Sequence, residues 1–349
     1  MAVTPSAEAQ LQFLQHLQQL FEDGDFVATY KYALLMALAE LAVEQGGTSE
    51  ALELPMTAIG EKFAELYWAQ TVPYASGTHG SSPIILFQNQ GNQAAVVNGL
   101  LRLRAAGAKT IGDAKQQPDW PDVVREIART VAAMPIQYLQ NVGGTQIPFL
   151  YDYPLPVRGK VILKPGVVFT LRTFHPLIQQ LARAGWLNHV RQNQRNHAAI
   201  GQVDDLEQFM FGTSRVALAT VVPLLNRLQS KKCFYCGELL RGTPEVDHFI
   251  PWIKYPRDLA HNFVLAHAEC NRRKSDMLAA ERHLDRWVTR NLTYGAEITG
   301  EMKGFAADVT CSHRVALWAY EQAVAAGGYG WVEKRRTEQL SASCLDTLA

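Results

Sequence analysis

Residues Cys233–Leu278 read CFYCGELLRGTPEVDHFIPWIKYPRDLAHNFVLAHAECNRRKSDML. Two residues separate Cys233 from Cys236, and after thirty more the same spacing recurs in His267 and Cys270. Three thiols and an imidazole at that spacing form a Cys3His set, the donor set of a tetrahedral zinc site. With four protein ligands such a site has no open position and is structural, pinning the ends of a segment too short to be held by its own core. Between the two pairs, Asp247-His248 precedes the apolar run FIPW and Asn262 precedes the β-rich run FVL, while Asn271 follows Cys270 at the expected start of a helix.

The wording VDHFIPW followed by HNFVLAHAECNRRKSD resembles the HNH endonuclease family, with Asn262 fourteen residues after His248 and Asn271 nine further on. The resemblance implies two short strands and a helix around one catalytic metal ion. It departs from family members with a zinc knuckle at one position, where His267 stands in place of the first cysteine of the second pair. His261 is the other candidate for that fourth ligand. The resemblance covers this stretch alone.

Phosphodiester hydrolysis needs an activated water, a counter-charge for the phosphate and stabilisation of the leaving oxygen, and one hard cation supplies the last two. Asp247 offers a carboxylate and Asn271 an amide oxygen, donors that suit magnesium or manganese. His248 is the candidate general base, because a neutral imidazole can accept a proton from water. Successive residues of a regular strand face opposite ways, so Asp247 and His248 can share a site only if the backbone bends there, as Pro251 close behind suggests. By analogy with the family, Asn262 holds either the loop or the His248 ring. Arg272, Arg273 and Lys274, in the first turn after Cys270, are candidates for contacts with the nucleic-acid backbone.

Outside this stretch the chain reads as mainly α, in several parts, around a small α+β module. Its 349 residues are 48% hydrophobic and carry 33 basic and 33 acidic side chains, so no global charge points to a polyanion. The charges are nevertheless segregated. Residues 1–70 hold ten acids against two bases, whereas residues 150–230 hold nine bases against four acids, and residues 231–290 hold eleven against eight. A nucleic acid, DNA first, is expected on the second half, and the acidic helical first part is a candidate surface for a protein partner. Five cysteines without a signal-peptide pattern, and no apolar run of membrane-spanning length, lead to the expectation of a cytoplasmic chain without membrane segments.

Four parts are expected. Residues 1–146 read as helices at 7–23, 25–47, 56–70, 92–106 and 120–139, with a Gly/Ser/Pro-rich loop over 71–83. Residues 147–230 read as a connecting region, with short strands over 147–174, helices over 175–193 and 213–229, and Arg183, Arg191 and Arg195 as candidates for a phosphate path. Residues 231–290 form the metal-bearing module, closing with a helix on which Arg282, Arg286 and Arg290 fall four apart and therefore on one face. Residues 291–349 carry a last helix from Cys311 and a loose tail from Glu333. The reading is a DNA endonuclease, resembling restriction or phage-defence nucleases. The same residues would serve an RNA-cleaving nuclease, or a zinc-stabilised DNA-binding protein whose nuclease site is idle.

Overall fold

The computed structural model describes residues 4–24, 26–46, 51–74, 83–200, 205–212 and 215–348, and the chain forms two compact units, Met1–Gly212 and Thr213–Ala349. The expected connecting region 147–230 is thus divided between them. The architecture is mainly helical with small two-stranded antiparallel sheets. Among the described residues no helix is long and apolar enough to cross a membrane.

The first unit is built around the helix Tyr30–Gln45, apolar on every side and buried along almost its whole length. The potential helix cap at Asp25 lies outside the described residues. Burial on all faces takes Glu40 and Glu44 inside as well, and they are matched by Lys62, whose Nζ lies 2.6 Å from Glu44 and 3.8 Å from Glu40. Such pairing offsets the desolvation of buried charge. The helices Met56–Tyr67 and Trp120–Ala133 pack closely because Gly60 has no side chain: a Cβ there would stand 2.9 Å from the Val124 carbonyl oxygen.

One expectation for this unit is met in part and another is corrected. The strand Lys160–Leu163 meets its own neighbourhood in an antiparallel bridge between Leu163 and Tyr151, and pairs along its length, antiparallel, with Leu52–Pro55, Leu52 opposite Leu163. The run Val167–Thr173, β-branched and expected as strand, is a helix. Gly166 turns the chain at a left-handed φ of 79°, and Val167, Val168 and Thr170 are buried in a helix packed against Tyr30–Gln45. Burial here outweighs intrinsic β preference. Of the arginines considered for a phosphate path, Arg183 lies over the Phe211 ring, and Arg195 over Phe87 while donating to the Gly91 carbonyl.

The second unit carries the short strands Glu245–His248 and Phe263–Ala266, followed by the helix Ala268–Lys274. A long helix, Glu281–Glu301, runs well past the expected end at Asn291 and packs beneath them. Of its three aligned arginines, Arg290 is buried while Arg282 and Arg286 are exposed, and all three donate to backbone carbonyls. Arg286 donates to the Phe234 and Tyr235 carbonyls, Arg290 to those of His261 and Phe263, and Arg282 to that of Val332. Carbonyls at strand ends and loops lack ladder partners, and a guanidinium with five donors satisfies several at once. Burial holds the Arg290 guanidinium below its usual pKa.

The tail is not loose. Tyr329–Glu333 and Arg336–Gln339 form a hairpin, and Trp331 is tied back to the body by bonds to Leu278 and Ala280. Its ring meets Tyr235 edge-on at 5.3 Å and stacks on His283 at 5.8 Å.

Candidate active site

Cys233 and Cys236 sit in a tight turn closed by Cys233 N–H to Glu238 O (2.8 Å) and Gly237 N–H to Cys233 O (3.0 Å). Gly237 takes the left-handed conformation this turn requires, φ 76°. A bond from Phe234 N–H to Leu265 O (2.9 Å) fastens the turn to the second strand, at whose end the chain enters the helix Ala268–Lys274 through His267. The donor atoms of Cys233, Cys236, His267 and Cys270 thereby fall within 4.8 Å of one another. His267 points Nδ1 toward the Cys236 sulfur at 3.4 Å, while its Nε2 stands 3.1 Å from the Leu239 carbonyl. An Nε2–H donated to that carbonyl leaves the Nδ1 lone pair for a metal, the usual outer-shell arrangement of a histidine ligand. Burial, with Cys233 and Cys236 alongside, pushes the Cys270 thiol up to about 12. Three thiols cannot ionise together without a cation, and the donor set fits zinc. His261, the alternative fourth ligand, is buried elsewhere, its Nε2 on the Gly295 carbonyl at 3.1 Å.

The strand Glu245–His248 pairs antiparallel with Phe263–Ala266, Asp247 opposite Val264 and His248 opposite Phe263. The ladder stops there. Asn262 clamps Ile250 at both ends, its Oδ1 accepting from Ile250 N–H at 2.7 Å and its Nδ2 donating to Ile250 O at 2.9 Å. The side chain thus replaces a strand partner and bends the chain. Asp247 and His248 then line one cleft with Glu245, Trp252, Asn271 and Arg272. Of the two tasks expected for Asn262, it performs the clamp; the His248 ring is held by other residues.

Asp247 is almost buried, and its Oδ2 is saturated by the Tyr235 hydroxyl and by Lys274 Nζ at 3.0 Å. Burial and the neighbouring Asp247 hold the Tyr235 phenol well above its ordinary pKa, so it is the donor. Lys274, expected at a nucleic-acid backbone, is fully buried, and its ammonium also donates to the His248 carbonyl at 3.0 Å. It faces inward because the helix Ala268–Lys274 lies against the strand Glu245–His248, and its buried charge needs the Asp247 carboxylate. Asn271 donates Nδ2 to Glu245 Oε2 at 2.9 Å, which turns its amide oxygen away from that carboxylate. Arg272 and Arg273 are exposed, each paired with Glu269.

Several of these partners were not singled out from sequence. Glu245 lies two residues before Asp247, the strand repeat that puts both on one face. Asp258, 2.9 Å from His248 Nε2, and Tyr235 reach the site through a loop and the knuckle, and no local pattern ties them to it; Lys274 stands out in the sequence only as a candidate backbone contact.

Residues 10–209 match the family model described as Domain of unknown function (DUF8808), more than half of the chain. The chain belongs to the DUF8808 family. Beyond that domain, residues 233–277 of this DUF8808 protein match the model described as HNH endonuclease, and the stretch with the Cys3His cluster is an HNH module. No curated protein and no solved structure matches the DUF8808 chain.

Proposed function

We propose that the protein is a metal-dependent endonuclease that hydrolyses phosphodiester bonds, DNA being its first substrate. The observation that carries this reading is the convergence of Asp247, Asn271 and His248 on one open cleft, beside a Cys3His cluster that fits a structural zinc. Asp247 and Asn271 would hold a magnesium or manganese ion, with Glu245 beside them, while Tyr235 and Lys274 contact Asp247 Oδ2. When bound, that ion supplies counter-charge for the phosphate and for the leaving oxygen. His248 takes a proton from the attacking water. Tyr235 and Lys274 hold the Asp247 carboxylate in place, and the Asn262 clamp holds the bend that brings His248 beside it. Substrate approaches along the face bearing Arg272 and Arg273, as positioning contacts that carry no base information.

The test is incubation of purified protein with plasmid, single-stranded DNA and RNA, with magnesium, manganese or EDTA. Cleavage of DNA with either ion and none in EDTA is expected. Cleavage confined to RNA would move the substrate class, and binding without cleavage under all conditions would leave a zinc-stabilised DNA-binding module.

The arginines give a smaller prediction. Glu269 engages both, so Glu269→Gln is expected to raise DNA affinity about two- to fivefold, the scale of an exposed ion pair, and to steepen its salt dependence. Fluorescence anisotropy across a salt series checks this; unchanged affinity would place the DNA elsewhere.

A further inference from the structure

His248 presents two ring nitrogens, and a base works through only one of them. Its Nε2 lies 2.9 Å from Asp258 Oδ1, in a pair whose side chains are only 13% and 26% exposed. The ring is held between Trp252 at 5.2 Å and Phe263 at 5.1 Å. Asp258 is set in place by a built loop. Pro251 O accepts from Lys254 and Tyr255, the Tyr255 ring is buried, and beyond Asp258 the bond from Ala260 N–H to Ala306 O (2.9 Å) anchors the loop's far end. Asn262 fixes its near end at Ile250. Trp252 and His248 line the cleft, and Asp258 is not among its lining residues.

From this geometry we infer that Asp258 is a positioning residue for His248: its carboxylate accepts the Nε2–H, so the neutral ring carries its proton on Nε2 and offers the Nδ1 lone pair to the cleft. The inference rests on the nuclease reading for its catalytic consequence. In the reaction, water gives one proton to Nδ1 and the hydroxide forms the new P–O bond. The bond from phosphorus to the 3′ oxygen breaks, and that oxygen leaves with a proton from solvent. The ring becomes an imidazolium with both nitrogens protonated, and the proton on Nδ1 returns to solvent before the next turnover. No proton passes to Asp258, which only orients the ring, as the acid of a nucleophile–histidine–carboxylate triad does.

The test combines kinetics with nitrogen NMR of the ring. In the parent protein labelled with ¹⁵N-histidine, His248, assigned by the signals lost in His248→Gln, is expected as the Nε2–H tautomer. Asp258→Ala should give a mixture of tautomers and lower kcat by about 10- to 10³-fold, a part of what a general base is worth, with KM, zinc content and Tm unchanged. Asp258→Glu should restore part of both signals. The near-isosteric Asp258→Asn keeps the experiment decisive should the alanine variant fold poorly, since its amide can donate to the ring and impose the wrong tautomer. Retention of the Nε2–H form and of kcat in Asp258→Ala and Asp258→Asn would overturn the inference. Failure of the nuclease reading looks different: the parent cleaves nothing, and the ring signals alone then decide whether Asp258 sets the tautomer.

Discussion

His248→Ala is expected to slow phosphodiester cleavage by about 10²- to 10⁴-fold, the usual worth of a general base, while zinc content, Tm and DNA affinity stay near those of the parent. The ring bonds Asp258 and lies beside Trp252 and Phe263, but it caps no buried charge. The contrast is with Asp247→Ala, which is expected to remove cleavage and also to destabilise the unit. Lys274 is fully buried with its ammonium 3.0 Å from that carboxylate, so deleting the acid strands a charge inside the protein, a loss on the order of 3–5 kcal/mol. Asp247→Asn keeps the shape but not the charge, and should fall between the two in stability. Thermal melts and single-turnover cleavage on the three variants check the division. Equal melting of Asp247→Ala and His248→Ala would mean that Lys274 does not depend on Asp247, and full cleavage by His248→Ala would remove the base.

The second large effect is metal removal. Elemental analysis is expected to find one tightly held zinc per chain, and extraction with a strong chelator to unfold the unit Thr213–Ala349. Structural zinc in small modules contributes about 10–16 kcal/mol at neutral pH, more than an ordinary domain's net stability. Ligation requires the thiolates, so binding releases protons and the apparent zinc affinity should fall steadily as pH is lowered. Cys236→Ala should reproduce the chelated state. Cys344 is buried apart from the cluster, and Cys344→Ala should keep full zinc. A folded protein free of metal, seen by circular dichroism after chelation, would show that Cys233, Cys236, His267 and Cys270 do not act as a staple.

What could be read without coordinates was whatever the chain writes locally. The two Cys/His pairs, the Asp247-His248 dipeptide and the helix Ala7–Asp23 each lie within one short run whose spacing is itself the signal. The inward turn of Lys274 and Arg290, and the carbonyl bonds of Arg282 and Arg286, were not legible. A basic side chain looks the same in sequence whether it meets a phosphate or a backbone carbonyl, and the choice was made by strand ends far away in sequence. The helix Val167–Thr173 was misread because β-branched residues at a fully buried position are chosen for shape and only secondarily for backbone preference. The tail from Glu333 lacks a strong apolar period in its second strand, yet Trp331 holds it against Tyr235. Asp258 was passed over because a lone acid in a loop carries no periodicity to mark it.

The bonds from Arg286 and Arg290 to backbone carbonyls also decide how much chain a transplant must carry. The family match ends at residue 277, but the carbonyls of Phe234, Tyr235, His261 and Phe263 are capped from Arg286 and Arg290, and Tyr235 is walled by Trp331. A fragment cut at the edges of the match would keep every zinc and cleft ligand while losing the caps on its own backbone and the wall behind the phenol that steadies Asp247. The smallest portable form of the HNH module is therefore the whole second unit, and a tag or fusion joined after residue 277 would report on a frayed module.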